Sequence, residues 1–254
     1  MKRVLFFLYG IICYFIFFGT FLYAIGFVGN IIVPKSIDTE ATVPIGEALL
    51  INTALLGLFA LQHSVMARKG FKKWWMRYIP VEIERSTYVL FTNFALLLLF
   101  WQWQPLGGVI WNIQNPIVQY IMYGIFALGW LLVLVTTFVI NHFDLFGLRQ
   151  VWLQLVGKKY TNLGFVTPGP YKMIRHPLYL GFILAFWVTP VMTVAHLVFA
   201  LATTGYILIA IQFEEKDLVN IHGGDYANYR KRVPMIFPYG KKQKSANQAY
   251  NEAV

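Results

Sequence analysis

Three short polar passages interrupt an otherwise apolar chain: NHFDLFGLRQ (141–150), GPYKMIRHPLYLG (169–181) and FEEKDLVNIHGGDYANYRKRVP (213–234). The second gathers five hydrogen-bond donors, Tyr171, Lys172, Arg175, His176 and Tyr179, at the mouth of a hydrophobic run. Pro177 suits the first position of a helix. The helix start therefore brings free N–H groups and the positive dipole end beside Arg175 and His176, which makes an anion site. The third passage offers two carboxylates, Glu214 and Glu215. A ligand bearing both a carboxylate and a cationic centre fits such a pair of sites, and an amino-acid sulfonium such as S-adenosylmethionine is one. Adjacent residues point about 100° apart on a helix. One glutamate therefore faces the ligand while the other is free to pair with Arg230 or Arg232, and spacing leaves open which does which.

These passages need a scaffold that joins them. The chain has 254 residues, 58% hydrophobic and only 13% charged, against about 25% charged in a soluble domain. Apolar runs recur along its whole length, predicting an all-α polytopic membrane protein. Spans are expected at about 4–28, 46–67, 86–103 and 117–140, each near the roughly 20 residues that cross a bilayer. A helical hairpin follows over 178–213, giving five to six membrane helices. Its first arm, about 13 residues to Pro190, measures only about 20 Å of helix, so the hairpin is expected to dip from the cytoplasmic side and bend near TPVMTVAH. The apolar part of the first run is too long for a signal peptide, so it reads as a retained span.

The expected domains are a membrane core over 1–140, a catalytic region over 141–240 comprising connector, hairpin and tail, and a disordered polar tail over 241–254. With the N-terminus inside, every one of the 21 Lys and Arg residues except Lys35 falls on one side. The positive-inside rule then puts both termini and the polar passages in the cytoplasm. That bias also accounts for the net charge of +10 without invoking nucleic acid. The single cysteine, Cys13, lies inside the first span, so no intrachain disulfide or thiolate cluster can form. No phosphate-loop, zinc or nucleophile-elbow motif occurs, and no metal site is expected.

The run GPYKMIRHPLYLG, an EE pair about thirty residues on, and then GGDYANYRKRVP resemble the catalytic region of the isoprenylcysteine carboxyl methyltransferase and phospholipid methyltransferase superfamily. Within it, QHSVMARKGFKKWW, INHFDLFGLRQVWL, RHPLYLGFILAFWVTPVMTVAHLVFA and IQFEEKDL are similar to the bacterial methanethiol S-methyltransferase group, a likeness that covers the chain from about residue 55. The resemblance implies an inner-membrane enzyme that transfers a methyl group from S-adenosylmethionine to a small thiol, methanethiol. Its products would be dimethyl sulfide and S-adenosylhomocysteine. Other readings are methylation of a prenylcysteine carboxylate or lipid amine, and a non-catalytic denitrification-associated protein that shares the QHS segment.

On this reading Arg175, His176 and Tyr179 hold the cofactor with Glu214 and Glu215. Gly181 either leaves room for the ligand or serves helix packing. Tyr226, Tyr229 and Arg230 either close over the cofactor or rest on anionic lipid. A thiol must lose its proton, and even cysteine titrates near 8.5. His142, oriented by Asp144, is the leading proton acceptor, with an interfacial helix cap as the alternative; Tyr171 is a third catalytic candidate. His63, an ionisable group within a span, and Arg149 are candidates for binding the thiol. His196 and His222 are expected to be structural.

Overall fold

The computed structural model describes residues 1–40, 42–161 and 163–238. The polar tail expected to be disordered lies outside the described residues. The chain forms α1 (Lys2–Gly29), α2 (Ile45–Ala67), α3 (Lys69–Trp75), α4 (Glu84–Gln102), β1 (Val109–Asn112), α5 (Pro116–Ile140), α6 (His142–Leu145) and α7 (Leu148–Leu155). A single 3-10 turn, Gly169–Lys172, leads into α8 (Pro177–Trp187), β2 (Val191–Thr193), α9 (Val194–His222) and α10 (Gly224–Arg232). The long helices run up and down. The start of α1, the α2–α4 turn, the 141–176 connector and α10 share one end, here called the basic end. The loops 30–44 and 103–115 form the far end, together with the bend between α8 and α9.

Four helices, α1, α2, α5 and α9, are long and apolar enough to cross a membrane. The third expected span forms as α4 but is not one of them; α9, expected as a hairpin arm, takes that place. The reason lies in composition. Helix α4 opens on Glu84 and Arg85 and buries Ser86, Thr87 and Asn93. It packs against α1 and α2, so its polar face is spent inside the protein. The far half of the bundle is closed by an aromatic core of Phe27, Phe100, Trp103, Phe126, Trp130, Phe186 and Phe199.

Local chemistry sets the helix ends. Asn115 accepts from the amides of Ile117 and Val118, with Pro116 at the first position of α5. Thr193 Oγ1 accepts from the His196 amide at the start of α9. Pro177 opens α8 as the sequence predicts.

The hairpin bend lies deeper than a shallow dip. β2 pairs antiparallel with β1 of the far-end loop, and Thr193 and His196 both reach Asp38 in the other far-end loop. Eleven helical residues give about 16 Å at 1.5 Å per residue. The extended residues that follow add about 3.3 Å each, and together the two segments match a hydrocarbon core of about 30 Å. Helix α8 is held rigidly on α5. A Cβ at Gly181 would stand 2.7 Å from the Gly129 carbonyl oxygen and 2.9 Å from the Val133 amide nitrogen. Small residues at such a crossing let two backbones touch.

Candidate active site

Helices α8 and α9 bring the second and third polar passages together at the basic end. Arg175 Nε donates to Glu215 Oε1 at 2.6 Å, and the same oxygen accepts from His176 Nε2 at 3.0 Å. Arg175 and Glu215 are both nearly buried, at 9% and 8% side-chain exposure. Arg175 Nη1 also donates to the carbonyls of Arg230 and Val233. The amides of Arg175 and His176 donate to the carbonyls of Pro234 and Met235 at 2.9 and 3.0 Å. The segment after α10 is thus strapped across the start of α8. No residue type announces this backbone pairing, and sequence reasoning missed it.

The geometry separates the two glutamates. Glu215 belongs to the ion pair, with Arg230 Nη1 a further 3.9 Å from its second oxygen. Glu214 is 44% exposed; it accepts from Tyr179 Oη at 3.0 Å and lies 3.8 Å from His176 Nδ1. Arg175, read from the sequence as part of an anion site, spends Nε and Nη1 on partners within the protein.

Aromatic side chains wall the junction. Tyr226 and Tyr229 on α10 are buried, and Phe165 of the connector packs its ring against both. Tyr229 Oη donates to the Tyr171 carbonyl at 2.6 Å. Burial pushes the Tyr229 phenol up to about 12, with Arg175 opposing and Glu215 adding to the rise. Burial, then Glu214 and Tyr229, raise the Tyr171 pKa above the ordinary phenol value. Tyr171 therefore stays protonated and can donate a proton in a hydrogen bond, but it is no base. Tyr226 is raised by burial and by both glutamates, and its buried hydroxyl has no hydrogen-bond partner. A buried hydroxyl is expensive to leave unpaired, and this one is an uncommitted donor at the junction.

Several of the expected residues make other contacts. The open side of Gly181 is filled by the backbone of Gly129 and Val133, which is the helix-packing alternative. Asp144 does not orient His142. The His142 ring is bonded at 2.8 Å to Tyr14 Oη through Nε2 and at 2.8 Å to Thr137 Oγ1 through Nδ1. It lies flat on Phe138, and burial lowers its pKa. Asp144 instead takes Arg149 Nη1 at 2.9 Å and Tyr160 Oη at 3.3 Å. Residues two apart in a short helix point to nearly opposite sides, and that is why the pair does not form. Arg149, read as a thiol-binding candidate, is committed to Asp144, Thr161 and the Tyr160 ring, a clamp on the connector.

His63 stands apart from these, in the last turns of α2. Tyr88 Oη lies 3.0 Å from both of its ring nitrogens. His196 is buried at the far end, donating to the Phe186 carbonyl, and His222 packs on Phe165. Among the described residues no group of three or more His, Cys, Asp or Glu side chains could hold a metal ion.

Comparison with known proteins identifies the family. The isoprenylcysteine carboxyl methyltransferase (ICMT) family matches residues 129–220, the stretch that holds α8, α9 and the two glutamates. The chain is 61% identical over 243 residues to a methanethiol S-methyltransferase of Crocosphaera subtropica, covering 95% of each. It is 53% identical over 239 residues to one of Mycobacterium tuberculosis, covering 94% of this chain and 98% of that one. With methanethiol S-methyltransferase 1 of Bradyrhizobium diazoefficiens it shares 54% over 233 residues, 92% of this chain and 82% of the other. No solved structure matches. Alike over nearly its whole length to such relatives, and carrying the paired polar passages where the family profile lies, the chain is a methyltransferase and belongs to the methanethiol S-methyltransferases of the ICMT family.

Proposed function

We propose that this methyltransferase S-methylates methanethiol with S-adenosylmethionine at the cytoplasmic face of a bacterial inner membrane, giving dimethyl sulfide and S-adenosylhomocysteine. The single observation that carries the reading is the unpartnered Tyr226 hydroxyl, buried beside the two glutamates at the α8–α9 junction. S-adenosylmethionine supplies a methyl group already activated on a cationic sulfur. The donor set fits such a molecule: Glu214 is a carboxylate with room for an ammonium or ribose group, Tyr226 is an uncommitted donor, and the rings of Tyr171, Tyr226 and Tyr229 suit an adenine or a cation. Arg175 and Glu215 hold the two helix ends and the strap in register, beside the His176, Tyr179 and Glu214 side chains.

Position favours the chemistry. Glu214 lies about 20 residues into α9, or about 30 Å from its start, the depth of a hydrocarbon core. Joining a cationic donor to an anionic thiolate disperses charge, so a dry site at the membrane edge lowers the barrier relative to water. Small apolar thiols partition into that layer. The orientation follows from charge: among the described residues every Lys and Arg but Lys35 lies toward the basic end, which the positive-inside rule assigns to the cytoplasm. The test is to incubate the purified full chain with labelled S-adenosylmethionine and either methanethiol or a prenylcysteine. Labelled volatile dimethyl sulfide supports the reading; methylation of the prenylcysteine alone overturns it.

A further inference from the structure

We infer that the cavity between the start of α1, the α3–α4 turn and the end of α7 is a binding site for the headgroup of an anionic phospholipid. The inference does not depend on the methylation proposed above. None of Arg175, His176, Tyr179, Glu214 and Glu215 lines this cavity.

The cavity lies at the basic end and encloses about 630 Å³, within the range of about 300–1,000 Å³ usual for ligand sites. Arg3 comes from α1, Lys72 from α3, Arg85 from α4, and Lys158 and Lys159 from the segment after α7. A Cβ on Gly157 would stand 3.1 Å from Arg3 Nη1, so the Arg3 guanidinium rests against the turn that carries the two lysines. Segments far apart in sequence thus gather five cations on one wall, with few counter-charges beside them. Lys72 pairs with Glu84 at 3.8 Å, and the lining carboxylate of Asp144 is taken by Arg149 at 2.9 Å. Among the described residues that leaves Arg3, Arg85, Lys158 and Lys159 against Glu82 alone, four positive charges to one negative. Burial lowers the Lys72 pKa and Arg85 adds to the fall, more than Glu84 offsets. An anion held beside it would counter that loss.

The wall also carries an acceptor. Gln150 Nε2 donates to the Asp144 carbonyl and carboxylate at 3.1 and 3.4 Å, which leaves Oε1 at the other end of the amide. That oxygen is buried without a partner. Several cations and one unfilled acceptor match a phosphate diester that bears a hydroxyl, as phosphatidylglycerol does, better than bare phosphate.

The surroundings favour a lipid over a soluble anion. Helix α1 turns apolar directly after Arg3, and Val4, Leu5 and Leu8 are exposed. Phe7, one turn beyond Arg3 and on the same face, packs on Trp152 of α7 at 5.8 Å. Trp152 and Val156 are themselves exposed, as is Val81 on the cavity wall. Four residues of helix measure about 6 Å, so the charged cavity and the apolar surface are stacked as headgroup and acyl layers are. An indole at that level is usual at a membrane interface. Basic pockets between membrane helices on the cytoplasmic side suit such headgroups. A lipid seated here would tie α1 and the α3–α4 turn to the connector that leads to Tyr171.

The experiment uses the full chain purified in detergent and stripped of lipid. Its thermal midpoint and intact mass are followed as phosphatidylglycerol, phosphatidylcholine, glycerol 3-phosphate or S-adenosylhomocysteine is added. Phosphatidylglycerol is expected to raise the midpoint and to remain as one bound lipid, while phosphatidylcholine and glycerol 3-phosphate do neither. Lys158→Gln combined with Lys159→Gln should weaken phosphatidylglycerol binding roughly 25-fold, at about fivefold for each cation, and leave S-adenosylhomocysteine affinity at the parent value. Arg3→Gln should weaken it about fivefold, and it carries the comparison if the double variant folds poorly. Lys69→Gln combined with Lys73→Gln, exposed on α3 outside the cavity, should bind as the parent does. An equal loss in that control, or an equal shift with phosphatidylcholine, would show lipid coating a basic surface and overturn the site. An equal shift with glycerol 3-phosphate would make it a site for a soluble phosphate ester. Displacement of phosphatidylglycerol by S-adenosylhomocysteine would assign the cavity to the methyl donor. Either result overturns the lipid reading.

Discussion

Arg175 Nε and Glu215 Oε1 meet at 2.6 Å across the α8–α9 hairpin, both side chains nearly out of solvent. Removing one partner of a buried ion pair strands the other charge, at a cost of about 3–5 kcal/mol. Arg175→Ala and Glu215→Ala should therefore lower the thermal midpoint strongly and abolish S-adenosylhomocysteine binding together. Glu214→Gln, at a half-exposed carboxylate with one phenol donor, should leave the midpoint near the parent and weaken binding alone. Thermal unfolding in detergent with and without S-adenosylhomocysteine separates the two. Equal destabilisation by the Glu214 and Glu215 changes would refute the division of labour between them.

The α5–α8 crossing makes a second case. A Cβ at Gly181 meets backbone atoms of Gly129 and Val133 at under 3 Å, and backbone cannot swing aside. Overpacking of this kind costs about 1–3 kcal/mol. Gly181→Ala should lower the thermal midpoint without any ligand present. Gly129→Ala, whose Cβ would stand 2.8 Å from the Ala185 amide, should do the same. If Gly181→Ala instead keeps full stability and loses only ligand affinity, the glycine faces the ligand after all.

Much of this site was legible in the sequence because its residues are local signals. Pro177 marks a helix start, and Arg175, His176, Glu214 and Glu215 are polar groups that an apolar hairpin must bring level. What stayed illegible depends on contacts between distant segments. The strap from Pro234 and Met235 to Arg175 and His176 is backbone to backbone and has no residue signature. The His142–Asp144 pairing failed because proximity in sequence is not proximity around a helix. Helix α4 forms where a span was expected, but its polar residues Ser86, Thr87 and Asn93 turn inward, and hydropathy does not record direction.

Acid sensitivity should originate at the far end. Asp38 is mostly buried, which works to raise its pKa. Contacts from His196, Thr193 and Asn30 outweigh burial and hold it below the ordinary 3.8. A carboxylate depressed on folding contributes stability that is complete above its unfolded pKa and is lost as pH falls through the folded value. The thermal midpoint should therefore drop below about pH 4. Asp38→Asn should flatten that acid limb while lowering the midpoint at neutral pH. An acid limb unchanged in Asp38→Asn would show that the carboxylate contributes nothing there.

Tyr226 separates ligand binding from folding most cleanly. Its hydroxyl is buried without a partner, and an unsatisfied group of this kind costs about 1–3 kcal/mol. Tyr226→Phe removes that cost and keeps the ring against Phe165 and Tyr229. The ligand-free protein should thus melt at the parent temperature or above. In the presence of S-adenosylhomocysteine the order should reverse, because the parent gains a hydrogen bond that the variant lacks. One lost neutral bond, at about 0.5–1.5 kcal/mol, corresponds to roughly a two- to twelvefold weaker affinity. Calorimetric titration of both proteins gives the ratio directly. A variant that is less stable without ligand yet binds equally well would mean the hydroxyl serves the fold and not the methyl donor.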